Sequence, residues 1–174
     1  MEDNDGSING GNSGNLIATF NGNAEGLPSI ALTGHMDCVE SCRNIEPVLK
    51  DGVFYSKGNT ILGGDDKAGV TAILEGLRLM KENYIPHGKI TVIFTVQEEI
   101  GLFGSRNIEE EYIKGIDFGY TLDADGPAGS VFNAGPSEYT LDFICRGVAA
   151  HAGMCPEKGT SAIAMAGLGI AACP

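Results

Sequence analysis

The segment 90–96 (Ile-Thr-Val-Ile-Phe-Thr-Val) constrains the fold of this chain most strongly, because it is β-branched and largely apolar on both faces. Such a segment is typical of a central strand in a sheet that is covered on both sides. The preceding segment 67–83 places apolar residues at the i, i+3, i+4 and i+7 positions of an amphipathic helix. A helix that leads into a buried strand predicts an α/β fold, with a twisted mixed sheet flanked by helices.

Shorter segments complete this predicted sheet. Residues 16–20, 28–33 and 119–122 have the composition of strands, and Asp51-Gly52 predicts a tight turn between two more. A second, shorter helix is predicted over residues 105–113.

The pattern of the sequence changes after about Asn133. Residues 139–146 alternate apolar and polar side chains, which predicts a one-sided antiparallel strand, and residues 161–172 predict a helix of small residues. We therefore expect two domains, a catalytic domain at 1–134 and the beginning of a smaller α+β domain at 135–174. About 40 residues are too few for a separate core, so we expect both domains to be incomplete and the chain to be a fragment.

The composition excludes several classes of function. The formal net charge of -12 disfavours binding to nucleic acid and to anionic membranes. No apolar run approaches the roughly 18 residues of a membrane span. Residues 1–14 predict a loop or disorder and lack the pattern of a signal peptide. The five cysteines are an odd number, and their spacing is not that of a disulfide framework. We therefore expect reduced thiols and a cytoplasmic protein.

Polar side chains follow the predicted strands at the edge where ligands bind in sheets of this kind. They are His35, Glu98 with Glu99, and Asp123, and Asp65 lies on a glycine-flanked turn. Taken singly, His35 could be a core histidine, the glutamates a solvated loop and Asp65 a helix cap. Taken together, imidazole and carboxylate groups at strand ends predict a metal-dependent hydrolase, because these are zinc ligands.

The arrangement predicts two metal ions that share a carboxylate. Asp65 is the candidate bridging ligand, since the preceding glycines let the backbone bend there. His35 and Asp123 would complete one metal site, and Glu99 would lie at the other. Cys38 and Cys42, which are close to His35 in sequence, are an alternative source of a zinc ligand.

Two further acids are candidate catalytic residues. Glu98 is predicted to take a proton from the attacking water and pass it to the leaving amine. Asp37 is predicted to accept a hydrogen bond from the His35 ring and fix its tautomer.

Four motifs follow one another along the chain, namely His35-Met36-Asp37, Gly64-Asp65-Asp66-Lys67-Ala68-Gly69, Gln97-Glu98-Glu99-Ile100-Gly101-Leu102 and Thr121-Leu122-Asp123. In this order they resemble the motifs of the di-zinc metallopeptidase family that includes the peptidase T-like tripeptide aminopeptidases, glutamate carboxypeptidase and the aminoacylases. The resemblance implies hydrolysis of peptide bonds in small peptides, most specifically removal of the N-terminal residue of tripeptides. It implies the metal ligands and catalytic residues named above, two zinc ions per subunit, and a cis peptide bond between Asp65 and Asp66.

A fifth segment, Gly147-Val148-Ala149-Ala150-His151-Ala152-Gly153, resembles the start of the family's lid domain. The resemblance implies that His151 contacts the substrate and that the lid can form a homodimer. The only partners expected are therefore a small peptide substrate and a second copy of the chain.

The sequence departs from the family pattern at the second zinc. The resemblance calls for a further histidine ligand after the lid, and this chain has only three histidines, none of them in that position. We therefore expect one zinc ion or none in this chain. Two alternatives stay open, namely another amidohydrolase of the family (an aminoacylase or carboxypeptidase) and a catalytically incompetent fragment.

Overall fold

The computed structural model describes residues 2–3, 11–137 and 139–173. Its strands are β1 (Glu2–Asp3), β2 (Asn15–Phe20), β3 (Ile30–His35), β4 (Pro47–Lys50), β5 (Val53–Ser56), β6 (Ile90–Thr95) and β7 (Phe118–Thr121). Its α-helices are α1 (Gly64–Glu82), α2 (Phe103–Arg106), α3 (Glu110–Ile113) and α4 (Ala162–Ala171). None of the helices in the described ranges is long and apolar enough to cross a membrane.

The chain divides into two compact units, Met1–Ser130 and Val131–Pro174. The assignment of 1–134 to a catalytic domain and of 135–174 to a lid domain stays a prediction.

A mixed sheet organises the first unit, with the strand order β1-β2-β6-β3-β7. β3, β6 and β7 run parallel, and β2 runs antiparallel to β6. The register pairs His35 with Thr95 and Thr33 with Thr121, so the carboxyl ends of the three parallel strands meet at one edge of the sheet. The predicted α/β class with a mixed sheet is therefore confirmed.

The core lies around β6, all six residues of which are buried. Ile90, Val92 and Phe94 project to one face and pack with Ile73 of α1. The regular part of α1 begins at Lys67, because Asp65 and Asp66 have non-helical backbone angles. The helix predicted over residues 67–83 thus covers one face of the central strand.

Three local predictions in the first unit are confirmed or corrected by the structure. The hairpin predicted at Asp51-Gly52 is confirmed, because β4 and β5 pair antiparallel around it. The single helix predicted over residues 105–113 is wrong, since α2 and α3 are separate four-residue helices. Loop or disorder over residues 1–14 is wrong at Glu2–Asp3, which pairs with β2; residues 1 and 4–10 lie outside the described residues.

The second unit contains α4, which confirms the helix predicted over residues 161–172. Ser161 caps its start by accepting a hydrogen bond from the backbone N–H of Ala164 at 3.1 Å. The strand predicted over residues 139–146 is wrong, because the described residues there form no ladder. The only β pairing among the described residues of this unit is an isolated bridge between Val148 and Thr160.

Candidate metal centre

The predicted site residues of the first unit come from four segments around the carboxyl edge of the sheet. His35 is the last residue of β3, and Asp65 lies at the start of α1. Glu98 and Glu99 lie in the turn after β6, and Asp123 follows β7. The ends of the parallel strands and the start of α1 bring these residues together, as the sequence predicted.

The imidazole of His35 is the centre of the cluster, with 2% of its side chain exposed. Its Nε2 lies 3.2 Å from Asp65 Oδ1, 3.9 Å from Glu98 Oε2 and 4.0 Å from Asp123 Oδ2. Two groups have ligand atoms within 4.8 Å of one another, His35 with Asp65 and Glu99, and His35 with Glu98 and Asp123. Both groups share His35, but they pair the carboxylates differently from the ligand sets in the sequence prediction.

Asp37 lies beside the cluster in a role that differs in part from the predicted one. Its carboxylate oxygens accept hydrogen bonds from the backbone N–H groups of Glu98 at 3.1 Å and Glu99 at 3.2 Å. His35 Nδ1 is buried and makes no hydrogen bond, although Asp37 Oδ1 is 3.4 Å away. The two backbone N–H groups orient the carboxylate, so Asp37 fixes the turn that carries Glu98 and Glu99 (the glutamate turn). Its predicted role toward the His35 ring stays a prediction.

Asp66 is a buried acid that the sequence analysis named only in a family motif and in the predicted cis peptide bond. Its Oδ2 accepts a hydrogen bond from the backbone N–H of His35, and its Oδ1 from that of Gly69, each at 3.1 Å. Burial raises the pKa of Asp66, while these two hydrogen bonds oppose the increase. Asp66 therefore ties β3 to the start of α1, and the cis peptide bond predicted between Asp65 and Asp66 is present.

Gly69 permits this close approach between α1 and the sheet. An added methyl group would overlap the carbonyl oxygen of Leu122 and the carboxylate of Asp66. A glycine inside a predicted helix is the sequence signal for such an approach, because glycine weakens a helix interior.

Gly69→Ala is expected to lower the free energy of unfolding by about 1–3 kcal/mol through this overlap. Gly76→Ala is the matched control on the same helix, because the position meets nothing within 4 Å. That substitution is expected to stabilise the protein by about 0.5–1 kcal/mol. Urea unfolding measures both variants, and a Gly69→Ala protein as stable as the original would contradict the close packing.

Asn15 is a second positioning residue, which no local sequence pattern indicates. Its side chain is fully buried; Nδ2 donates to the Gly104 carbonyl at 2.9 Å, and Oδ1 accepts from the Val96 N–H at 3.2 Å. Because the glutamate turn begins directly after Val96, Asn15 holds both the start of that turn and α2.

Negative charge dominates the electrostatics of the cluster. Burial alone would lower the pKa of the His35 imidazole, but the hydrogen bond to Asp65 and the nearby carboxylates raise it above the ordinary value. Those carboxylates are Asp123, Asp37 and Glu98. Burial raises the pKa of Asp123 and Glu98, and neighbouring carboxylates add to both increases. Such a concentration of acids favours a bound cation.

A cavity of about 410 Å³ opens beside the cluster. Residues 64–66, 68, 69 and 122–125 line it, with Asp65 and Asp123 among them. A small ligand in this space would therefore lie beside two of the predicted metal ligands.

The other two histidines, His87 and His151, belong to different units of the chain. His87 is half-buried in the loop before β6, where its Nδ1 lies 2.7 Å from the Gly88 carbonyl oxygen. His151 belongs to the second unit and is exposed, and its Nδ1 accepts a hydrogen bond from the Gly153 N–H at 3.1 Å. A role for His151 in substrate binding stays a prediction.

The fold agrees with what comparison with known proteins finds. Residues 31–166 match the family described as Peptidase family M20/M25/M40, and the chain belongs to this family. Peptidases of this family use metal ions, and the two groups around His35 are candidate sites for them.

Two relatives align with different shares of this chain. The uncharacterized protein YqjE of Bacillus subtilis (strain 168) is 40% identical over 99% of this chain and 46% of its own length. Peptidase T of Salmonella paratyphi C (strain RKS4594) is 32% identical over 65% of this chain and 35% of its own length. The chain therefore spans about half, or less, of the length of these relatives.

Two solved structures are also similar to this chain over slightly less than half of their own length. Aminopeptidase PepT from Bacillus cereus ATCC 10987 aligns with a TM-score of 0.82 and 39% identity, over 100% of this chain and 46% of that one. A tripeptidase from Staphylococcus aureus subsp. aureus mu50 aligns with a TM-score of 0.78 and 36% identity, over 99% and 46%.

Proposed function

We propose that this chain carries the metal-binding part of a zinc-dependent peptidase that removes the N-terminal residue from tripeptides or similarly small peptides. The observation that carries the proposal is the buried His35 ring, with three carboxylate oxygens within 4.0 Å of Nε2. The similarity to an aminopeptidase PepT and to a tripeptidase supports the choice of substrate.

The donor atoms fit zinc, which binds imidazole nitrogen and carboxylate oxygen in tetrahedral sites. Two donors bound to one tetrahedral ion at about 2.0–2.1 Å lie about 3.3 Å apart. His35 Nε2 and Asp65 Oδ1 are separated by 3.2 Å, and Asp123 Oδ2 lies somewhat farther from Nε2, at 4.0 Å. His35 must bind through an unprotonated Nε2, so the proton would lie on Nδ1, which faces Asp37 Oδ1 at 3.4 Å.

In this proposal His35, Asp65 and Asp123 would hold one zinc ion, and Asp65 and Glu99 would supply ligands for a second. Zinc, when bound, polarises a carbonyl group and makes water a stronger acid. The second ion would have fewer ligands from this chain, because both three-residue groups depend on the same imidazole of His35.

Glu98 is the proposed proton carrier. Its Oε2 lies 3.9 Å from His35 Nε2, next to the proposed metal position. Burial raises the pKa of Glu98, and the charges of Asp123, Glu99 and Asp37 add to the increase, while His35 opposes it. A carboxylate with a raised pKa is a stronger base, so Glu98 is better suited to accept a proton from water and return it to the leaving amine.

Asp37 positions Glu98 and Glu99 in this scheme. Asp37→Asn replaces one acceptor oxygen with an N–H₂ group that would face a backbone N–H. We expect zinc affinity to fall about 10- to 100-fold, the usual effect of losing a residue that orients metal ligands. Asp51→Asn, in the exposed β4–β5 turn, makes the same charge change and is the control. Isothermal titration with zinc measures both, and equal affinities would contradict this role.

The proposed activity is tested by incubating the purified chain with a tripeptide and either zinc or cobalt. Release of the N-terminal amino acid that requires the added metal is the expected result. Release only from N-acylated amino acids, or from the carboxyl end of peptides, would instead identify an aminoacylase or a carboxypeptidase. One weak zinc site without turnover would favour the catalytically incompetent alternative. The specific observation for that alternative is that both ligand groups found among the described residues share the same histidine, His35.

A further inference from the structure

Two free cysteines lie together beside the metal cluster. Cys38 follows Asp37, and Cys42 lies four residues farther along the same loop; both are half-buried. Both sulfur atoms approach the same backbone position, because a Cβ added to Gly63 would lie 2.8 Å from Cys42 Sγ and 3.4 Å from Cys38 Sγ. The residues between the two cysteines are exposed, so small molecules in solvent can reach this loop.

Lys67 places its positively charged ammonium group next to one of these sulfurs. Its Nζ donates to Cys38 Sγ at 2.7 Å, to the Met36 carbonyl at 2.6 Å and to the Asp37 carbonyl at 2.9 Å. An ammonium group has three N–H donors, so all three are used and the group is held against Cys38. Reactive cysteines are typically found beside such a cation.

The two thiols have unequal environments. A hydrogen bond with Cys38 raises the pKa of the Cys42 thiol, and burial acts in the same direction, while Lys67 opposes them. Of the two sulfurs, Cys38 Sγ is the one that accepts the charged hydrogen bond from Lys67 Nζ. This asymmetry suits a pair in which Cys38 reacts first and Cys42 second.

We propose that Cys38 and Cys42 form an oxidation site, at which a hydroperoxide converts the two thiols into a reversible intramolecular disulfide at the rim of the metal cluster. The proposal concerns a modification of the protein and does not depend on the proposed peptidase activity.

The chemistry balances with hydrogen peroxide as the oxidant. The Cys38 sulfur attacks one peroxide oxygen, an S–O bond forms as the O–O bond breaks, and the first water leaves. The Cys42 sulfur then attacks the Cys38 sulfur, an S–S bond forms as the S–O bond breaks, and the Cys42 proton leaves with the second water. The two thiols lose two electrons and two protons, and the peroxide is reduced to two waters.

The test treats the fully reduced chain with hydrogen peroxide and blocks the remaining thiols with N-ethylmaleimide at successive times. Cleavage after Glu40 and Arg43 separates Cys38 from Cys42, so a joined peptide in the mass spectrum reports the disulfide. We expect this peptide to form at least about tenfold faster than Cys145, Cys155 or Cys173 loses its thiol, and to disappear on reduction.

Three controls separate the folded site from mere closeness in sequence. The same chain in concentrated urea is expected to form the disulfide at least about tenfold more slowly. Lys67→Gln is expected to slow the reaction about tenfold while retaining both thiols. Cys42→Ser is expected to give no joined peptide, and Cys38 should instead proceed to the sulfinic acid.

Two results would overturn the proposal. One is the absence of the joined peptide while the other three cysteines are oxidised. The other is a rate that neither urea nor Lys67→Gln changes, because the arrangement of Cys38, Cys42 and Lys67 would then have no effect on the chemistry.

Discussion

His35→Gln is expected to weaken zinc binding by about 100-fold or more. Removing a metal ligand should lower the zinc affinity more than removing a residue that only orients a ligand, which costs about 10- to 100-fold. Glutamine keeps a polar side chain of similar length in a position that is 2% exposed, so the fold is more easily preserved than with alanine. Isothermal titration with zinc measures the effect.

The matched control for this prediction is His87→Gln. His87 is half-buried in the loop before β6, and its ring Nδ1 lies 2.7 Å from the Gly88 carbonyl oxygen. This variant should bind zinc as the original chain does. Unchanged affinity in His35→Gln, with a normal circular dichroism spectrum, would contradict the assignment of His35 as a ligand.

Glu98→Gln is expected to lower the rate of tripeptide hydrolysis by about 10²- to 10⁴-fold, the range associated with loss of a general base. Glutamine has nearly the same shape but cannot take up the proton. Zinc affinity should change little, because His35, Asp65 and Asp123 remain as ligands of the first ion. Hydrolysis and zinc titration are measured on the same preparation.

Glu99→Gln is the informative comparison, since Glu99 adjoins Glu98 but is assigned to a metal ion. It should reduce the number or affinity of bound zinc ions as well as activity. The structure groups Glu98 with His35 and Asp123 by distance, so a metal-ligand role for Glu98 makes a distinct prediction. A large loss of zinc affinity in Glu98→Gln would favour that role over proton transfer.

Much of the fold could be predicted because its main elements are encoded locally. Segment 90–96 is apolar or β-branched throughout, and the corresponding strand β6 is completely buried. Asp51-Gly52 adopts positive φ at both residues, 52° and 80°, as the tight turn of a hairpin requires. The convergence of His35 and Asp123 followed from parallel strands, whose carboxyl ends meet at one edge.

The errors and omissions come from features that depend on distant parts of the chain. The alternation in residues 139–146 indicates a strand with one apolar face, but pairing requires a neighbouring edge that a local pattern does not specify. Asn15 acts through the carbonyl of Gly104, 89 residues away in sequence, and Asp66 acts through the backbone of His35. The orientation of Asp37 was missed for the same reason, because the N–H groups of Glu98 and Glu99 determine it.

The central claim is that His35 and the surrounding acids hold zinc at the carboxyl edge of the sheet. An anomalous difference map, collected at the zinc absorption edge from crystals of this chain grown with zinc, tests it most directly. The account predicts a peak about 2.0–2.2 Å from His35 Nε2 and from carboxylate oxygens of Asp65 and Asp123. A zinc peak bound instead at Cys38 and Cys42, with none at His35, would contradict it.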